Sequence, residues 1–217
     1  MAKGERRKFL REFMKNPKSV GAIAPSSAQL ADAMVRGISE LEPGSTVLEL
    51  GPGTGAFTAA IRDSLPAGVH YVGIEIEGRF VDLLRERFPG LEFAHGSAAD
   101  AGRIVDERGR RPVRCVISGL PFASLPVEIQ DGIVTALLDV LEPGAVFRTF
   151  QYVHAYRLPK AVRFRKQMGE LFGRLERSKP VLRNLPPAYC LTWQRAAVRS
   201  SSQDSVTAHE PSGADGQ

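Results

Sequence analysis

From residue 42 onward, the apolar residues fall into short runs separated by stretches of helical period. The runs at 46–50, 69–75, 91–95, 113–118 and 145–152 have the length and β-branched content of strands. Between them the spacing predicts helices at 55–64, 77–88, 98–108 and 126–141. Regular alternation of strand and helix implies right-handed crossovers and a mostly parallel sheet covered on both faces, a doubly wound α/β fold. The pattern then changes. A basic helical stretch at 158–173 leads into two β segments, about 175–183 and 188–196, which predict a C-terminal antiparallel hairpin joined through Pro186 and Pro187. Upstream, Ser26 or Ser27 can cap a helix running to about Leu41. Residues 3–15 predict a separate amphipathic helix, with Phe9, Leu10, Phe13 and Met14 inside an arc of about 140°. Arg7, Lys8, Arg11 and Lys15 continue around the wheel beside that arc. From Ser200 the chain is polar and predicts disorder. The expected division is a lead-in over 1–41, one α/β domain over 42–199 and a tail over 200–217.

Composition changes this picture little. The chain has 217 residues, 43% hydrophobic and 24% charged, as in soluble globular proteins. No run approaches the roughly 18 apolar residues of a membrane span, and no signal peptide is visible, so a cytoplasmic location is expected. Cys115 and Cys190 lie in apolar segments and read as buried thiols. The four histidines show no ligand spacing, and no metal is expected. Charge is more informative, because the net +5 is unevenly placed. Residues 1–18 hold seven Lys/Arg against two Asp/Glu, and residues 157–183 hold nine against two, while 19–156 are net acidic. An acidic body with basic flanks predicts an anionic partner, either lipid headgroups or nucleic acid.

The candidate chemistry begins at "VLELGPGTGAFT". Gly51, Gly53 and Gly55 follow the first strand, where side-chain-free backbone lets a ligand approach the main chain. With Ala56 the dinucleotide pattern is formally met. Glu49 argues against it, since a carboxylate two residues before the first glycine repels a pyrophosphate. The same carboxylate suits S-adenosylmethionine, which carries an ammonium and a sulfonium and no phosphate. Glu75 ends the second strand, where an acid can accept both ribose hydroxyls, with Glu77 as the fallback. Ser97 and the Ala98 backbone follow strand three, where an adenine edge would lie, with Ile76 against its face.

These residues carry a family resemblance. "ELGPGTG", "GIEIE" and "ISGLPF" together resemble class I S-adenosylmethionine-dependent methyltransferases of the rRNA adenine dimethylase-like group. "FLREFMKNPKSVGAIAPSSAQLA" and "NLPPAYCLTW" resemble the soluble bacterial phospholipid N-methyltransferases, over residues 9–196. The resemblance implies a seven-stranded Rossmann-like sheet and stepwise methylation of phosphatidylethanolamine toward phosphatidylcholine, with S-adenosylhomocysteine as by-product. It places Glu49 and the three glycines at the methionine end of the donor, Glu75 at the ribose, and Ser97 and Ala98 at the adenine. In "SGLPF", Ser118 takes the polar position that orients the amine, Gly119 and Leu120 offer carbonyls, and Phe122 offers a face for a cation. Tyr152 is a second candidate for the pocket wall; Tyr152 or a water takes the amine proton.

The rival reading is RNA adenine dimethylation. Ser118 instead of Asn, and the short run after the last strand, favour lipid over nucleic acid. The apolar arc of residues 3–15 also favours lipid, because phosphate binding alone needs only charge. That helix either inserts at an anionic membrane surface or packs on the domain. Arg163, Arg165 and Lys166 read as headgroup binders or as a solvated helix face. A peripheral binder of the donor without catalysis is the non-enzyme alternative, and another aminolipid such as ornithine lipid fits the same chemistry.

Overall fold

The computed structural model describes residues 27–196. The predicted helix at 3–15 with its apolar and basic residues, and the tail from Ser200, lie outside these residues. Seven strands form one sheet in the order β3-β2-β1-β4-β5-β7-β6. They are β1 (Thr46–Leu50), β2 (His70–Glu75), β3 (Glu92–His95), β4 (Val113–Ser118), β5 (Leu141–Tyr152), β6 (Glu176–Arg177) and β7 (Ala188–Gln194). The first five run parallel, and β7 is antiparallel to both β5 and β6. Among the described residues six α-helices accompany them: α1 (Ala28–Val35), α2 (Ala56–Ser64), α3 (Gly78–Arg87), α4 (Ala101–Asp106), α5 (Val127–Val140) and α6 (Pro159–Phe172).

Period-2 alternation along β1 shows how the sheet sorts its side chains. Val47 enters the apolar layer shared with α1, α2 and α3, while Leu48 and Leu50 enter the layer shared with α4, α5 and α6. Glu49 therefore falls on the α1–α3 face and is fully buried there. The second layer centres on Phe122, Phe147, Phe164 and Trp193, with Phe122 and Phe164 stacked at 4.0 Å. Both cysteines are buried free thiols.

Several elements differ from the pattern-based expectation. The first helix ends at Val35 because Gly37 adopts φ 79°, and a short 3-10 turn carries the chain on to Glu40. The stretch 98–108 splits into a 3-10 turn capped by Ser97 and the short α4. Strand β5 begins directly at Leu141 and takes up the Glu-Pro-Gly segment as a bulge, where its register with β4 shifts. The first arm of the C-terminal hairpin narrows to the two residues of β6, with one further bridge at Val181.

Candidate active site

Strand order reverses between β1 and β4, so the crevice at their C-terminal ends is the ligand position expected of such a sheet. The glycine turn sits there, and its three glycines do different work. A Cβ on Gly51 would come within 2.5 Å of Leu120 Cδ2, and one on Gly55 within 2.6 Å of Phe88. These two let the loop pack against the protein. Gly53 has φ 59° and nothing within 4 Å of its would-be Cβ, so its bare backbone faces open space. Gly53 is thus the position of the turn whose backbone is open to a ligand.

Glu75 ties this turn to β2. One carboxylate oxygen accepts from Gly53 N at 2.9 Å and the other from Glu77 N at 3.0 Å. Burial raises its pKa, against the lowering effect of these backbone bonds. Glu49 lies behind the turn. Its Oε2 accepts from Thr58 Oγ1 at 2.8 Å and from Tyr71 OH at 2.6 Å, while Oε1 has no partner among the described residues. Desolvation pushes its pKa up to about 7; the two hydroxyl bonds oppose the rise and the nearby Glu75 adds to it.

Tyr71 and Thr58 were not singled out from the sequence. The available signal was Gly73, a glycine inside a strand, which pairs with Glu49 across β1 and β2. A Cβ there would lie 2.6 Å from the Tyr71 hydroxyl and 2.7 Å from Phe93, so the glycine makes room for the phenol to reach the acid.

The arrangement fits a cationic donor. Two buried carboxylates stand beside an open glycine backbone, and one buried oxygen of Glu49 has no hydrogen bond from the described residues. An ammonium answers that oxygen, whereas a pyrophosphate would face two like charges. The adenine-side residues are also at this edge: Ala98 is buried, and Ile76 and Ser97 are half-buried. Ser97 Oγ accepts from Ala99 N at 3.2 Å, so its lone pairs are partly committed to capping the following turn.

At the end of β4, Ser118 is fully buried and its Oγ accepts from Leu120 N at 3.3 Å. Gly119 donates to Leu50 O at 2.9 Å, and a Cβ there would lie 2.7 Å from the Gly51 carbonyl oxygen. No side chain fits at 119 without a shift, which leaves Ser118 as the polar group of the "SGLPF" loop. The Leu120 carbonyl already accepts from Phe122 N at 3.0 Å. Gln130, another residue missed in the sequence, props this loop from below by donating to Phe122 O at 2.6 Å.

Two expectations meet a different geometry. Phe122 was expected to offer its face to a cation; it is fully buried, stacked on Phe164 and edge-on to Phe147, so it is a core residue. Tyr152 is half-buried on the face that carries Phe150, whereas Ser118 is two residues on from Val116 on the other face, so the sheet does not bring the two together. Burial also raises the Tyr152 phenol above its usual value, so it stays neutral and can accept only through an oxygen lone pair.

On the face shared with Ser118, α6 supplies a basic cluster. Arg165 donates to Gln151 Oε1 at 2.6 Å and to Tyr156 O at 2.8 Å, and its guanidinium lies 3.6 Å from the Tyr156 ring centre. Arg177 lies over both Tyr156 and Tyr189, at 5.2 Å and 4.7 Å. Desolvation and the neighbouring Arg177 charge lower the Arg165 pKa. Arg163, by contrast, is held by Asp131 at 2.8 Å, and Lys166 is exposed near Glu170. Among the described residues no cluster is placed to hold a metal, and no helix is long and apolar enough to cross a membrane.

Comparison with known proteins agrees with this geometry. The ribosomal RNA adenine dimethylase family matches residues 2–95, the part that builds the glycine turn and both acids. An ornithine lipid N-methyltransferase of Singulisphaera acidiphila is 33% identical over 188 residues, covering 83% of this chain and 91% of the relative. Ribosomal RNA small subunit methyltransferase A of Prosthecochloris aestuarii is 29% identical over 87 residues, which is 39% of this chain and 31% of that protein. Among solved structures, the O-methyltransferase TomG of Streptomyces achromogenes, in complex with SAM, superposes with a TM-score of 0.61 at 20% identity over 89% of each chain. An O-methyltransferase of Bacillus cereus in complex with SAH gives 0.60 at 13% identity, over 89% of this chain and 92% of its own. These two share the fold. Likeness across nine-tenths of a relative, joined to a donor site of this construction, decides the family: the chain belongs to the class I S-adenosylmethionine-dependent methyltransferases of the rRNA adenine dimethylase-like group.

Proposed function

We propose that the chain is an aminolipid N-methyltransferase, which transfers methyl groups from S-adenosylmethionine to the amine of a lipid headgroup. The observation that carries this reading is the extent of the likeness. The ornithine lipid enzyme is matched along 91% of its length, whereas the ribosomal RNA enzyme is matched along 31% of its own. The sequence alone pointed to phosphatidylethanolamine, methylated toward phosphatidylcholine. The relative's activity favours an ornithine headgroup, and both acceptors present an amine beside an anionic group.

When bound, the donor supplies an electrophilic methyl on a sulfonium. The chain's own residues do the remaining work. Glu49 and Glu75 with the Gly51–Gly55 turn hold the donor's ammonium and ribose, and Ile76, Ser97 and Ala98 flank its base. Ser118 and the carbonyls of Gly119 and Leu120 accept from the substrate amine and direct its lone pair. Alignment of nucleophile and leaving group is the main catalytic contribution, since displacement at the methyl needs no nucleophilic side chain. The amine must be neutral to attack. With Tyr152 held protonated and on the far face, water is the better proton acceptor. Arg165 and Arg177, held on Tyr156 and Tyr189, are suited to the headgroup's phosphate or carboxylate.

The reading is tested by mass spectrometry of lipids from a host that makes the protein and normally lacks methylated aminolipids. Successive methyl increments on ornithine lipid or phosphatidylethanolamine support it. An unchanged lipid profile alongside newly dimethylated adenine in ribosomal RNA contradicts it.

A further inference from the structure

The two most exposed large apolar side chains among the described residues stand three positions apart in one turn. Leu182 is 70% exposed and Leu185 is 73% exposed. The turn between β6 and β7 that carries them is a built structure. Asn184, between the two leucines, is buried; its Nδ2 donates to Pro186 O at 2.7 Å and its Oδ1 accepts from Ser27 N at 2.9 Å. Val181 N bonds Ala188 O at 2.8 Å, and Val153 N bonds Pro187 O at 2.8 Å. A buried amide thus fixes the backbone while the two leucines beside it stand exposed.

The place of this turn matters. Strand β7 begins at Ala188 beside Tyr152, where β5 ends, so the turn projects beyond the edge of the sheet that holds the glycine loop and Ser118. Val153 and Leu158, on the adjoining connection, are also exposed. Lys179 and Arg183 flank the leucines, within a segment that carries nine Lys/Arg against two Asp/Glu over 157–183. Asn184 also holds Ser27, the first described residue.

We propose that the turn at 181–187 is a membrane-insertion tip. Leu182 and Leu185 enter the headgroup–acyl boundary of an anionic bilayer, while Lys179 and Arg183 meet its phosphates. Apolar side chains with cations beside them in the chain are the composition that interfacial binding uses, and a turn held by hydrogen bonds loses little freedom on insertion. Docking there sets the catalytic edge against the surface. That bearing on catalysis rests on the aminolipid reading, whereas the docking itself does not.

The test is co-sedimentation of the full chain with vesicles of phosphatidylethanolamine and phosphatidylglycerol. The double variant Leu182→Ser/Leu185→Ser should partition about tenfold more weakly or worse. Its affinity for S-adenosylmethionine and its melting temperature should match the parent, because neither side chain is in the core. In a second variant, Leu185→Cys, an environment-sensitive thiol label should shift to the blue only when vesicles are added; Cys115 and Cys190 are buried and do not compete. Unchanged sedimentation of the double variant overturns the proposal. So does a label already blue-shifted without vesicles, which would mean that another segment of the chain covers the tip. If the tip proves necessary for vesicle binding but no aminolipid is methylated, the docking surface stands and the proposed function falls.

Discussion

Glu49→Gln is the most informative single change in the donor site. The carboxyl is fully buried and its pKa is pushed from 4.5 to about 7. That shift is equivalent to about 3 kcal/mol at roughly 1.4 kcal/mol per unit. The sign follows from proton binding. Between pH 4.5 and about 7 the folded chain holds a proton that the unfolded chain has released, so this group makes stability fall as pH rises through that window. Above it the full cost of the buried charge remains. The variant has no such charge. Its stability relative to the parent should therefore rise by about 3 kcal/mol between pH 4.5 and pH 8, a widening gap of about 6–12 °C in melting temperature for a domain of this size. Donor binding should show the reverse dependence. The parent should lose about tenfold in affinity between pH 7 and pH 5.5, a range in which the ligand's own α-amino group, with a pKa of about 7.7–8.0, stays protonated. The variant should bind weakly and without that slope. Thermal melts and titration calorimetry across pH measure both. Parallel pH profiles for parent and variant, in stability or in affinity, would refute the assignment of Glu49 as a buried acid that meets the donor's ammonium.

Tyr71→Phe removes the 2.6 Å bond that favours the ionised acid, so the Glu49 pKa should climb further and donor affinity at pH 7 should fall several-fold, as read by calorimetry. Glu75→Ala removes the acceptor of Gly53 N as well as the ribose contact, and should weaken the donor by about ten- to a hundredfold, or 1.4–2.8 kcal/mol at one decade per 1.4 kcal/mol. Gly53→Ala should bind the donor poorly and cost only about 1–2 kcal/mol of left-handed backbone strain, because its Cβ meets open space; Gly55→Ala should lower the melting temperature further, because it adds to that strain a Cβ that meets Phe88 at 2.6 Å. Phe122→Ala should cost about 3–5 kcal/mol of stability in denaturant titration, as expected for a stacked core ring and not for a pocket wall.

The parallel sheet was legible because each strand is short, apolar and bounded by a helix of clear period. The glycine turn and Glu75 follow from the same regularity, because both stand where a strand ends, whereas crossover handedness leaves the order of the strands open. What escaped was contact between distant segments. Phe122 reads from the sequence as a loop aromatic beside Ser118, and only the packing of α6 shows that Phe164 stacks on it. Tyr152 reads as a strand-tip hydroxyl, but one step of the period-2 alternation moves it to the other face from Ser118. The Arg165–Tyr156–Arg177 cluster joins three elements whose spacing in the chain carries no signal. The helix ends moved for local reasons: Gly37 in the left-handed region stops α1, and the bulge at Glu-Pro-Gly lets β5 start four residues early.

On the reading proposed above, this donor site serves an amine at a lipid surface. Purified full-length protein incubated with methyl-labelled S-adenosylmethionine, and separately with vesicles containing ornithine lipid, vesicles containing phosphatidylethanolamine, or ribosomal RNA, tests it directly. Label is expected in the lipid extract of at least one vesicle sample and none in the RNA. Label in the RNA with unlabelled lipid would contradict it.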